Sequence, residues 1–180
     1  MEDRRLHALV LPPGPRLLQA LHAALDGTGP AICPLSPDTP APALQATLDA
    51  LAPHAVETPH GTTPHHPRNG PPPTPVHPDT AVLIATSGST GTPKFVELSA
   101  RALRASATAT RHRIGADTTD RWLCCLPTSH IAGIQVLVRA LLTGTAPRIH
   151  PRFDPAEIAT TDAPLISLVP TQLRRLMDAG

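Results

Sequence analysis

Apolar positions change their spacing along this chain, and the changes mark out successive elements. From Pro15 to Asp26 (PRLLQALHAALD) leucines stand at 17, 18, 21 and 25, with proline in the first turn and Gly27 placed to end the run, which predicts an amphipathic helix. A short apolar piece, AICPL, and a second helix candidate, ALQATLDAL, come next. Ala81 to Thr86 (AVLIAT) is continuously apolar, as in a strand covered on both faces. KFVEL then alternates like a strand, and a helix is predicted from Ala100 to about Ile114, capped by Ser99 and stopped near Gly115. The strand RWLCCL, a helix through IQVLVRALL ending near Gly144, a short PRIH strand, LISLV and a last helix through TQLRRLMDA complete the pattern. Strands alternating with helices predict an α/β fold with a mostly parallel sheet flanked by helices. No internal repeat interrupts it.

One stretch breaks the alternation. Nine of the 27 residues from Pro53 to Asp79 are proline and five are histidine, with almost nothing apolar, so a loop or linker is expected there. Its histidines are irregularly spaced and carry no Cys or carboxylate cluster, so they are read as surface residues and not as a metal site. The expected organisation is an N-terminal α/β segment over 1–52, a Pro/His-rich linker over 53–79, and an α/β nucleotide-binding portion over 80–180.

Composition narrows the function classes. Fifteen Lys+Arg against 14 Asp+Glu leave a net charge of +1 with no basic stripe, which argues against a nucleic-acid partner. No apolar run approaches the ~20 residues of a membrane span, and the N-terminus MEDRRLHALVLPPGP does not read as a signal peptide, so no membrane partner and a cytoplasmic location are expected. Cys33, Cys124 and Cys125 are odd in number and form no CxxC pair, so buried reduced thiols are expected.

Chemistry concentrates directly after the most apolar strand, in Thr86-Ser87-Gly88-Ser89-Thr90-Gly91-Thr92-Pro93-Lys94. Five hydroxyls, two glycines and a lysine fall within nine residues. Glycines let a backbone turn its N–H groups into an anion-holding concavity, hydroxyls add donors and the ammonium adds charge, so polyphosphate is the natural guest. The spacing is not that of a Walker A motif, and the strand-like KFVEL means the loop joins two strands instead of opening a helix. Such turns are more often plain solvated loops; here the density of donors, the terminal Pro-Lys and the preceding buried strand favour a phosphate site.

At these residues the sequence resembles the adenylate-forming superfamily of acyl-CoA synthetases, whose phosphate loop reads approximately S/T-S-G-S/T-T-G-x-P-K-G. Eight pattern positions match; Phe95 departs, standing where the family commonly has glycine. Leu126-Pro127-Thr128-Ser129-His130-Ile131-Ala132-Gly133 is similar to the family's LPxxHxxG segment, whose histidine lies beside the acyl pocket, although Ser129 stands where many relatives carry an aromatic. Arg139, nine residues after His130, and Ser167-Leu168-Val169-Pro170-Thr171-Gln172-Leu173 look like the o-succinylbenzoate CoA ligases of menaquinone biosynthesis, in which an arginine at this spacing serves the substrate's aromatic carboxylate. Nine residues at 100° each leave His130 and Arg139 half a turn apart on one regular helix, so both face one pocket only if His130 precedes the helix. Gln135 and Arg139 share a polar stripe opposite Ile131, Ile134, Val138, Leu141 and Leu142, so Arg139 is equally readable as solvent-facing.

The resemblance, firm over 81–180 and loose over 1–52, implies the N-terminal part of the large domain of an adenylate-forming enzyme. It implies ATP phosphates held by Thr86, Ser87, Gly88, Ser89, Thr90, Gly91, Thr92 and Lys94, and an acyl substrate beside His130, Gly133 and Arg139. ATP, Mg²⁺, CoA and a small carboxylic acid are the implied ligands, and self-association is left open. No catalytic residue or metal ligand is assigned within these 180 residues. The family's later motifs are absent, so a truncated and inactive chain is expected. Two other readings stay open: an acyl-CoA or aryl-acid adenylating enzyme of another pathway, and a non-catalytic nucleotide-binding module.

Overall fold

A computed structural model describes residues 3–65, 72–86 and 93–179. The chain divides into two compact units, Met1–Ala102 and Leu103–Gly180.

The first unit is a six-stranded sheet. Its strands in chain order are β1 (Leu6–Val10), β2 (Ala31–Leu35), β3 (Ala55–Thr58), β4 (Gly61–Pro64), β5 (Thr80–Thr86) and β6 (Lys94–Ser99), with helix α1 (Pro15–Asp26) between β1 and β2 and helix α2 (Ala41–Leu51) between β2 and β3. Their spatial order is β4-β3-β1-β2-β5-β6. β1 pairs in parallel with β2 and β3, and β2 in parallel with β5; β3–β4 and β5–β6 are antiparallel. The parallel centre explains the unbroken apolar runs in AICPL and AVLIAT, because each strand is covered on both faces. Leu6, Ala8 and Val10 of β1 and Ala31, Cys33 and Leu35 of β2 share a core with Leu48 and Leu51 of α2, while α1 buries Leu17, Leu21, Ala24 and Leu25. The predicted helix stops at Gly27, Gly115 and Gly144 all take left-handed φ, at 74°, 65° and 69°.

Arg4 is a staple in this unit. Its guanidinium donates to the carbonyl oxygens of Ala24 (2.6 Å), Gly29 (2.8 Å) and Thr80 (2.6 Å), joining the last turn of α1, the loop after it and the start of β5. Burial pulls its pKa below the ordinary arginine value.

The segment 53–79, expected as a loop or linker, contains strands instead. β3 and β4 form a hairpin at the sheet's edge, with Ala55 facing Pro64 and Thr58 facing Gly61, and Val76 is buried in a bridge to Arg4. Composition misleads here because an edge strand buries few side chains and tolerates proline, whose missing N–H is no loss on an outer edge. Residues 66–71 of this segment lie outside the described residues. The division placed at residue 80 falls inside the sheet, since β5 pairs with β2. β1 itself escaped the sequence reading, as did the short helix Pro155–Ala159.

His54, from the same stretch, is part of the structure. Its Nδ1 accepts the Leu6 N–H at 3.1 Å, which only the neutral ring does. Burial first, then the Arg5 charge, hold its pKa below the ordinary histidine range, and the same two causes depress His7. In the window between the depressed folded pKa values and the unfolded value near 6.5 the unfolded chain binds more protons, so stability rises with pH. The urea midpoint of the first unit is therefore expected to be higher at pH 7.5 than at pH 5, and His54→Gln to flatten the difference; an unchanged slope in that variant would refute the assignment.

The second unit holds a three-stranded parallel sheet of β7 (Trp122–Cys124), β8 (Arg148–Ile149) and β9 (Leu165–Ile166), in the order β8-β7-β9. Its helices are α3 (Ala100–Ile114), which starts in the first unit and is capped by Ser99 Oγ accepting from Ala102 N at 3.2 Å, α4 (Ile131–Thr143), α5 (Pro155–Ala159) and α6 (Pro170–Asp178). α4 lies against β7 and is buried almost all round: Ile134, Val136, Leu137 and Val138 are fully covered, and Gln135 is buried with its Nε2 3.4 Å from the Leu103 carbonyl. The polar stripe expected through Gln135 therefore does not face water. A helix this apolar on all sides belongs inside a fold.

All three cysteines are buried and reduced; burial pushes the Cys33 thiol up to about 12 and Cys124 up to about 11. Among the described residues no helix is long and apolar enough to cross a membrane.

Candidate functional site

The hydroxyl-rich segment begins and ends on facing strands. Thr86, the last residue of β5, is the cross-strand partner of Lys94, the first of β6, and Thr86 Oγ1 donates to the Lys94 carbonyl at 3.1 Å. The strand β6 lies antiparallel to β5, as the alternation in KFVEL predicts of a strand. Ser87, Gly88, Ser89, Thr90, Gly91 and Thr92 lie outside the described residues. Both described ends, Thr86 and Lys94, are exposed. The platform beneath is firm: Ala81, Val82, Leu83 and Ile84 of β5 are buried, and the buried Thr80 hydroxyl donates to Glu97 Oε2 of β6 at 2.6 Å.

Phe95, the departure from the family pattern, is half-buried against the core shared by β1, β2 and α2. It faces Ala85 across the β5–β6 ladder. Phe95→Ala is expected to cost about 1–2 kcal/mol, roughly half of what a fully buried phenylalanine loses. Urea unfolding checks this; a change under about 0.3 kcal/mol would mean the ring contributes no packing.

In the second unit, β7 leads through Cys125–Ser129 into α4, and the local backbone accounts for the LPxxHxxG pattern. His130 precedes the helix with extended φ,ψ of −114° and 152°, its N–H donating to the Pro127 carbonyl at 3.2 Å and its own carbonyl accepting from Ile134. Its side chain is exposed. Gly133 packs its α-carbon against the incoming turn: an added Cβ would lie 2.8 Å from Pro127 C and 2.9 Å from Leu126 O and would collide with the Pro127 carbonyl oxygen. Only glycine allows this approach, which fixes how α4 leaves β7.

Arg139 sits about two and a half turns further along α4, about 13 Å from His130 along the helix axis. It is half-buried and does not simply face solvent. Its guanidinium lies over the Trp122 indole, 5.0 Å from the ring centroid, and Nη1 donates to Ser167 Oγ at 3.0 Å. Burial lowers its pKa from the ordinary arginine value, although a guanidinium stays charged at neutral pH. Arg139 Nε and Trp122 Nε1 are both buried and have no hydrogen-bond partner among the described residues. The condition that His130 precede the helix is thus met, while Arg139 is brought together with Trp122 and Ser167. The part played by Trp122 was not read from the sequence. A lone tryptophan in a buried strand gives no periodic signal of a partner seventeen residues away.

Among the described residues no group of three or more His, Cys, Asp or Glu is arranged to hold a metal ion.

Comparison with known proteins places these features in context. The family model described as AMP-binding enzyme matches residues 51–180. The 2-succinylbenzoate–CoA ligase of Enterococcus faecalis is 36% identical over 102 residues, which is 54% of this chain and 21% of that protein. A probable 2-succinylbenzoate–CoA ligase of Mycobacterium tuberculosis is 42% identical over 83 residues, 44% of this chain and 21% of that protein. The matches therefore span about a fifth of the length of these curated relatives. Among solved structures, o-succinylbenzoate CoA synthetase from Bacillus subtilis with the acyl-adenylate intermediate superposes with TM-score 0.79 at 22% identity, covering 100% of this chain and 53% of that one. E. coli MenE with a bound analogue of OSB-AMS gives TM-score 0.72 at 28% identity over 98% of this chain and 41% of that one.

Proposed function

This chain belongs to the AMP-binding enzyme family, and from that premise we propose that it carries the phosphate-gripping and acyl-binding portion of an ATP-dependent acid:CoA ligase acting on o-succinylbenzoate. The observation that carries the reading is the antiparallel pairing of Thr86 with Lys94, which sets the two ends of the hydroxyl- and glycine-rich segment side by side on neighbouring strands. In this reading Thr86, Ser87, Gly88, Ser89, Thr90, Gly91, Thr92 and Lys94 bind the β and γ phosphates of ATP. The succinyl carboxylate attacks the α-phosphorus, the bond to pyrophosphate breaks, and an acyl-adenylate forms; the CoA thiol then attacks the acyl carbon and AMP leaves. The loop orients the pyrophosphate leaving group and offsets its growing charge. None of its residues is a nucleophile. Mg²⁺ would share the neutralisation of the triphosphate, and no residue described here is assigned to it.

His130 and Gly133 would border the acyl site at the head of α4, and Arg139 would take the second carboxylate. A dicarboxylic acid suits this arrangement, since one carboxylate is activated while the other needs a planar cation to hold it. The similarity to 2-succinylbenzoate–CoA ligases of Enterococcus faecalis and Mycobacterium tuberculosis supports this choice over another acyl substrate.

The 180 residues correspond in this reading to the early part of the large domain, with the adenine contacts, the acidic metal ligand and the catalytic lysine supplied elsewhere. By themselves they are expected to bind ATP without releasing AMP. Phosphorus NMR tests the first point: the β and γ resonances should move more than the α, and Lys94→Ala should weaken binding about tenfold, the value of one charged hydrogen bond. A shift confined to the α-phosphate, or AMP release by the chain alone, would overturn the assignment.

A further inference from the structure

The stacked pair of Trp122 and Arg139 asks for a function beyond packing. Trp122 is 2% exposed, held in β7 between β8 and β9, so its indole plane is fixed by the sheet. Arg139 reaches it from the facing helix α4 and, among the described residues, is anchored at one corner, through Nη1 to Ser167 Oγ at 3.0 Å. Its Nε is buried without a hydrogen-bond partner among the described residues, and so is Trp122 Nε1. A buried donor left unpaired is costly, and two beside one charged group mark a place where an acceptor is wanted.

We propose that Trp122 is the positioning residue of the acyl site: its indole face sets the plane of the Arg139 guanidinium and keeps the free donor edge ready for the ring carboxylate of the acid. This rests on the reading of Arg139 as carboxylate ligand given above and adds what holds that ligand in place. A long side chain free to rotate loses entropy on binding; one already stacked loses less, and its two-pronged fork meets a planar carboxylate without rearrangement. The indole face attracts the cation most strongly of the aromatic residues, and phenylalanine retains part of that attraction. Leucine would fill much of the volume and supply none of it.

The experiment uses the 180-residue chain with benzoate, the aromatic half of the acid, as probe. Trp122 is the only tryptophan and there is no tyrosine, so indole emission reports on this pair alone. Benzoate is expected to change Trp122 emission and to shift the Arg139 Nε–H resonance in nitrogen-labelled protein, while succinate does neither. By the Arg139 resonance, Trp122→Leu should weaken benzoate about tenfold and Trp122→Phe by no more than about threefold, a graded loss that follows the ring and not the bulk. Arg139→Lys should abolish the response of the indole.

Benzoate bound as tightly by Trp122→Leu as by the parent would overturn the proposal and leave the role of Arg139 standing. Benzoate that moves neither signal in the parent chain, with Arg139→Ala indifferent to o-succinylbenzoate, would overturn both. Should Trp122→Leu fail to fold, the parent decides: a stacked guanidinium shows a ring-current-shifted Nε–H and hindered rotation, and an ordinary shift with free rotation would overturn the proposal.

Discussion

Gly133→Ala should destabilise the second unit by about 3 kcal/mol, the largest loss expected of a methyl group added to any described glycine. Overpacking in a well-filled core costs roughly 1–3 kcal/mol when side chains can yield. Here the obstacles are backbone atoms, the Pro127 carbonyl and the Leu126 oxygen, which cannot swing aside. Relief requires α4 to move off β7, and α4 is the helix whose Ile134, Val136, Leu137 and Val138 are fully buried. The same carbonyl accepts the His130 N–H, so the shift also displaces His130. Urea unfolding measures the first effect; a loss below about 0.5 kcal/mol would mean that the strand-to-helix junction has slack the geometry does not show.

Arg4→Met should lower the stability of the first unit by about 3 kcal/mol. Methionine keeps most of the stem but leaves the carbonyls of Ala24, Gly29 and Thr80 without their donor. A hydrogen bond to a charged group contributes about 1.5–3 kcal/mol, discounted here because Arg4 is half-buried and water can reach part of it. Arg4→Lys should recover less than half, since one ammonium cannot span three carbonyls that a planar fork meets. The contrast is Arg16, whose guanidinium also makes three contacts, to Glu57 at 2.8 Å and to the carbonyls of Thr58 and Pro59 at 3.0 and 2.9 Å, but on the exposed surface where water competes, and which is expected to contribute no more than about 1 kcal/mol. Equal losses at Arg4→Met and at Arg16→Met would refute the distinction between staple and surface pair.

Much of the architecture could be read from periodicity because burial on both faces and burial on one leave different marks. AVLIAT and AICPL are continuous because parallel strands under two layers have no wet side, and α1 shows a leucine stripe because only one of its faces is covered. The same logic explains the failures. β3 and β4 bury too little to show a pattern, and Pro64 sits in the outer strand β4, where a sheet edge tolerates a missing amide. In α4 the glutamine suggested a wet face, yet tertiary neighbours supply the cover and a partner for its amide.

The candidate site divides along the same line. The hydroxyl- and glycine-rich segment stands out in the sequence because its composition is local: donors, glycines and a lysine fall within nine consecutive residues, so its proposed role needs no knowledge of the fold. His130 and Gly133 were legible as a motif, but the reason for the glycine, an α-carbon pressed against the turn before it, is a matter of tertiary distance.

By itself the chain's order of residues determined an α/β fold, the place of the hydroxyl-rich segment between two strands, and the helix stops, since each depends on interactions within a few residues. Only the tertiary structure decided that β5 joins the N-terminal sheet, that Arg4 ties three segments together, and that Arg139 lies on Trp122 beside Ser167. Those contacts join residues far apart in sequence. Their energy is gained only when the fold has brought the partners together, so no local pattern records them.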